Sequence, residues 1–87
     1  MFREKVIWKY PVSPKFDMEL PEDAQVLSVQ TQGEDAQMWV LLDPEAPKVK
    51  RTFHAIATGE KFNATFSKYI GTFQVDWMVF HLFETTL

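Results

Sequence analysis

From Trp77 to Phe83, one parity of the chain carries Trp77, Val79, His81 and Phe83 and the other carries Met78, Phe80 and Leu82. An extended segment here is apolar on both faces apart from one imidazole, whereas a strand with one face in water alternates. Just upstream, Tyr69 to Gln74 is rich in strand formers, and Gly71, Thr72 and Gln74 interrupt any helical stripe. The stretch therefore reads as two strands, Lys68 to Phe73 and Trp77 to Glu84, joined by a short turn near Val75 and Asp76. No Asn-Gly or Asp-Gly marks that turn, so its type stays open.

The rest of the chain reads the same way. Lys5 to Tyr10 alternates with Val6, Trp8 and Tyr10 on a mostly inward face, and Pro11 and Pro14 close it. Phe16 to Leu20 sets Phe16, Met18 and Leu20 against Asp17 and Glu19. Gln25 to Gln32, with Leu27 and Val29 on one face, forms a hairpin through Gly33 with Gln37 to Leu42. That last strand has Met38, Val40 and Leu42 opposite Trp39 and Leu41, so it too is apolar on both sides. After the rigid Asp43 to Pro47 link comes a strand from Arg51 to Thr58. Gly59 to Ser67 mixes its signals: Phe62 and Phe66 sit four apart, as on a helix, but an irregular loop closing over the core is expected.

These elements define one domain, residues 1–87, of all-β class: about seven short antiparallel strands in a small sandwich or barrel. The two doubly apolar strands, Met38 to Leu42 and Trp77 to Phe83, exceed what a single core of this size can hide. A homo-oligomer is the economical cover, and a host protein is the other candidate.

A net charge of -3 excludes a general nucleic-acid binder, since phosphate neutralisation needs a basic face. The local cluster Lys48, Lys50 and Arg51 reads first as a solvated strand end. No cysteine is present, which removes disulfides, thiolate metal sites and a Cys nucleophile and fits a reducing compartment. No N-terminal apolar run suggests a signal peptide or a membrane span. His54 and His81 lack metal-ligand spacing, although both could reach one site with Asp76 or Glu84 if their strands are neighbours. The carboxylates concentrate in turns and form no acid/base pair, so neither an enzyme nor a cofactor is expected. What remains is binding. Trp39, Trp77, Phe80 and Phe83 read first as packing and second as a platform for a planar ligand such as a nucleobase. Arg51, Lys50 or His81 would then meet a phosphate, His54 joins them as a candidate binding residue, and His81 is also a candidate proton switch.

VIWKYPV, LSVQ, the W-x-L-x-DP of Trp39 to Pro44, Thr58-Gly59, YIGTFQ and VFH-x-FE together resemble a family of small uncharacterised proteins carried by bacteriophages and prophages. The resemblance runs from about Val6 to Glu84. Members carry a His-Pro segment after the Thr-Gly, where this chain has Glu60-Lys61-Phe62, so no role for that histidine transfers. The family brings no catalytic residues. It implies a phage product acting in the cytoplasm of the bacterial host, either countering a defence by binding a host protein or a small nucleotide, or serving as a structural or assembly component of the phage particle.

Overall fold

The structure, a computed structural model, describes residues 4–86. Seven strands are present: β1 (Val6–Pro11), β2 (Lys15–Pro21), β3 (Gln25–Gln32), β4 (Asp35–Leu42), β5 (Lys48–Ala57), β6 (Ser67–Val75) and β7 (Met78–Thr85). All pairings are antiparallel, in a three-stranded sheet of order β1-β4-β3 and a four-stranded sheet of order β2-β5-β7-β6. No helix occurs among the described residues; the fold is all-β as the alternation led one to expect, and of the sandwich and barrel it allowed, two sheets make the sandwich.

The core lies between the sheets. Val29, Met38, Val40 and Leu42 from one meet Leu20, Phe53, Phe73 and Leu82 from the other. Phe16 stacks on Phe53 with ring centroids 5.1 Å apart, and Phe73 on Phe80 at 5.5 Å, in the offset geometries that add to area burial. The sheets close along the β3 and β6 edges, where the Thr31 hydroxyl donates to the Gln74 carbonyl. Gly71 faces the core at this seam, and a Cβ placed on it falls 2.9 Å from Cγ1 of Val29. A Gly71→Ala variant is accordingly expected to lose about 1–3 kcal/mol through overpacking. Chemical denaturation checks this, and adding Val29→Ala should restore part of the loss.

Two bulges shift the faces from simple alternation. One lies between Val26 and Ser28, so Val26 and Val29 pair inward with Val40 and Met38 while Leu27 is left 44% exposed. The expected pairing of Leu27 with Val29 on one face is overturned by that extra residue. The second, between Tyr69 and Gly71, puts Tyr69 and Thr72 on the same outward face.

Three further expectations are corrected. Trp77 lies in the β6–β7 turn rather than in a strand, beside Asp76 in the left-handed region at φ 53°, which the mirror-image hairpin turns require. The inward face expected of β1 is covered only near Tyr10, since Val6 is 36% and Trp8 46% exposed. The second apolar face of β7 is covered by the chain itself: residues 58–66 leave β5, cross β7 and enter β6, placing Phe62 on Phe83. The irregular loop thus lies on the outside of the four-stranded sheet rather than over the core.

Candidate functional site

Strand register gathers some of the candidate residues and separates others. Inward positions on β5 and β7 are marked by Phe53 and Leu82, both fully buried, so Thr52, His54, Ile56, His81 and Phe83 face outward. His54, Phe83 and Tyr69 form one row across β5, β7 and β6; Ile56, His81 and Thr72 form the next. His54, His81 and Phe83 therefore share a face. Trp39 lies on the outer face of the other sheet, between Lys9 and Ser28, so the expected platform combining it with Phe83 does not exist. Phe80 faces inward on Phe73 and does not contribute to it either. Trp77, 84% exposed, stands at the tip of the last hairpin, beside a shallow cavity of about 250 Å³ lined also by Ala57, Thr58, Met78 and Val79.

Arg51 lines a separate cavity of about 210 Å³ with Glu84, Lys68 and Tyr69, and its guanidinium is held by partners within the chain. Alternation splits the basic cluster, sending Lys48 and Lys50 outward, where Lys50 stands 3.8 Å from Asp17, and Arg51 inward. Its Nε and Nη2 donate to the two carboxylate oxygens of Glu84 at 2.6 and 2.7 Å, and Nη1 donates to the Ala24 carbonyl at 2.7 Å. The guanidinium also lies 5.9 Å from the Phe53 ring centroid. The hydrogen bond to Glu84 raises the Arg51 pKa above its ordinary value against the opposing effect of burial, so this cation stays charged and committed. It is a clamp joining β5 to β7 and to the residue before β3.

His81 is held equally firmly. Its Nδ1 lies 3.0 Å from the Thr72 hydroxyl, itself 2.6 Å from the Tyr69 hydroxyl, and its Nε2 lies 2.8 Å from the Thr58 hydroxyl. Both ring nitrogens are used, which fixes the imidazole as the anchor of the 58–66 crossing. The metal site sketched from His54, His81, Asp76 and Glu84 is not assembled: Glu84 points inward on Arg51 and Asp76 sits in the turn. No cluster of three or more metal-ligating side chains occurs among the described residues.

The crossing is built between two tight turns. At its start, the Glu60 amide donates to the Ala57 carbonyl, and Gly59 has φ 90°, the conformation demanded of the third residue of a type II turn. That explains the Thr-Gly of the sequence. At its end, the Ser67 amide donates to the Ala64 carbonyl, and the corresponding third position is Phe66, with φ 61°. A bulky residue in this region is a backbone outlier, and outliers gather at functional sites. Phe66 is 58% exposed as a residue, so core packing does not explain it.

Phe66 lines an open cavity of about 400 Å³ together with His54, Asn63, Thr65, Ser67 and Thr85. Asn63 Oδ1 accepts from the Thr65 amide, and its NH₂ makes no bond among the described residues. The His54 imidazole makes no hydrogen bond among the described residues either. Behind the cleft stands the Phe62–Phe83–Tyr69 cluster, with centroids 4.9 and 5.6 Å apart. One exposed aromatic ring beside uncommitted imidazole and amide groups is what a planar, hydrogen-bonding ligand needs. Sequence reading found His54 and Phe83 here but missed Phe66, because nothing in the residue string announces a positive φ at a phenylalanine.

No curated protein and no solved structure matches the chain. A family model described as a domain of unknown function (DUF7352) matches residues 3–87. With its whole sandwich inside that match, the chain belongs to the DUF7352 family.

Proposed function

We propose that this chain is a non-enzymatic bacteriophage protein that counters a host defence by sequestering a nucleotide signal in the cleft between the 58–66 crossing and the outer face of β5 and β7. The observation that carries the reading is Phe66, an exposed ring held in a strained backbone conformation over a cavity with His54 and Asn63 on its walls. Strained residues cluster at ligand clamps and active sites, which supports giving this exposed aromatic a use outside the fold. The base stacks on Phe66, and His54 and Asn63 read its polar edge or meet a phosphate oxygen. The phage setting rests on the resemblance carried by the sequence motifs.

The test is a panel of adenine, guanine, cytosine and uracil nucleotides titrated into the labelled protein and followed by amide NMR. Shifts confined to His54, residues 63–67 and Thr85 are expected from at least one of them. Shifts at β1 alone, or none across the panel, overturn the reading. A Phe66→Gly variant is expected to fold with unchanged or higher stability, since glycine relieves the left-handed strain. Loss of a stacking contact worth about 1–3 kcal/mol should nevertheless weaken binding roughly 5- to 150-fold.

A further inference from the structure

Each sheet of the sandwich has two edges, and an edge strand presents unpaired backbone groups that proteins normally protect. Three edges are protected. Those of β3 and β6 close on each other at Thr31–Gln74 and Gly71–Val29. That of β2 carries exposed Lys15, Asp17 and Glu19 at alternate positions and ends in Pro21. The fourth, β1, pairs among the described residues with β4 on one side only and is apolar, with Val6 36%, Ile7 57% and Trp8 46% exposed.

The hydrogen-bond phase of that edge can be fixed. The Val12 amide donates to the Ala36 carbonyl, so the even positions of β1 turn their backbone groups toward β4. Ile7, Lys9 and Pro11 turn theirs to the open side. Proline obeys this phase, because its missing N–H falls where no partner within the chain needs it.

We propose that the open edge of β1 is the self-association surface of the protein, pairing antiparallel with β1 of a second copy about a two-fold axis through Trp8. Charge selects the register. Centred on Ile7, the pairing sets Lys5 against Lys9 twice, and centred on Lys9 it sets Lys9 against itself; like charges directly opposite destabilise a ladder. Centred on Trp8, it sets Ile7 against Lys9, Val6 against Tyr10 and Trp8 against Trp8, with no lysine facing another. The two lysines are in addition already engaged at home, Lys9 Nζ with Gln32 Oε1 at 2.6 Å and Lys5 Nζ with Asp23 at 3.2 Å. In this register Ile7 and Lys9 exchange backbone bonds across the axis, while Trp8 meets its copy in a close non-hydrogen-bonded pair. The result is a six-stranded sheet that covers the apolar edge isologously.

The proposal does not rest on the nucleotide reading, since β1 and the Phe66 cleft belong to different sheets. Its test is sedimentation equilibrium of the full chain with two kinds of variant. The unaltered protein is expected to be a dimer. Ile7→Lys, which places two cations opposite each other on each side of the axis, should weaken the dimer at least tenfold while the circular dichroism spectrum stays unchanged. The chain has no cysteine, so single introduced thiols report the register cleanly. Mild oxidation should join Trp8→Cys into a covalent dimer and leave Ile7→Cys mostly monomeric. A monomer for the unaltered chain at high micromolar concentration, a dimer indifferent to Ile7→Lys, or preferential cross-linking of Ile7→Cys overturns the proposal. Nucleotide shifts at His54 and residues 63–67 persist in the Ile7→Lys variant if that separate reading holds.

Discussion

Replacing Phe53 with alanine is expected to destabilise the domain by about 3–5 kcal/mol, the range for removing a large ring from a packed core. Phe53 is the largest fully buried side chain among the described residues, stacked on Phe16 and lying beneath the Arg51 guanidinium. Three kinds of contact fail together in the variant: core packing with Leu20 and Leu82, the aromatic stack, and the apolar floor of the clamp. A domain of 87 residues has a total stability of roughly 4–13 kcal/mol. At about 4–8 °C per kcal/mol, the thermal midpoint should fall by some 12–40 °C or the chain should fail to fold at all. Scanning calorimetry of Phe53→Ala against Phe53→Leu reads the effect directly, and Phe53→Leu should retain more than half of the lost stability.

The second large effect is electrostatic and has an unusual signature. Glu84→Ala strands the Arg51 guanidinium between the sheets with one carbonyl partner left, a loss of about 3 kcal/mol for an uncompensated, mostly buried charge. The side chains of Arg51 and Glu84 are 18% and 14% exposed, so solvent offers limited relief. Replacing both partners together with apolar residues of similar volume, Arg51→Met with Glu84→Leu, should be markedly less damaging than the single change. Urea unfolding of the unaltered protein, Arg51→Met, Glu84→Leu and the double variant gives the coupling. If instead the double variant is as unstable as the sum of the singles, the pair acts as two independent contacts and not as a clamp.

The existence of each strand was legible because alternation and proline punctuation are local, and the β3–β4 hairpin followed from Gly33. Faces were less legible wherever a bulge intervened. At Leu27 and at Ile70 one extra residue reverses the parity, and neither carries a residue type that signals it in advance. Gly71 stood out in the sequence only as an interruption of a helical stripe. Its purpose, close approach of β6 to Val29, depends on the second sheet. Trp77 was drawn into a strand because tryptophan favours strands, whereas the turn is set by the backbone of Asp76.

The candidate site shows the same division. His54 and His81 could be joined in the sequence only on the condition that their strands are neighbours, and the pairing of β5 with β7 is what puts them on one face with Phe83. Arg51 was misplaced since a run of basic residues looks solvated until strand parity is known, and Glu84 gave no sign of waiting inside. Trp39 fell on the opposite sheet for a reason no local pattern contains, the order of strands. The expected cover for the two-faced strands also divided: β7 is covered by Phe62 of its own chain, and the exposed apolar surface moved to the β1 edge.

The central claim is that the face bearing Phe66 holds a small nucleotide, and native mass spectrometry tests it most directly. The protein is purified gently from cells in which a nucleotide-signalled defence is active, sprayed intact, and then denatured. The account predicts a discrete species carrying an added small mass that denaturation releases, with the mass of a nucleotide, and a Phe66→Gly protein from the same cells without it. A bare protein, one bound to a host polypeptide, or one recovered only within virions contradicts the claim.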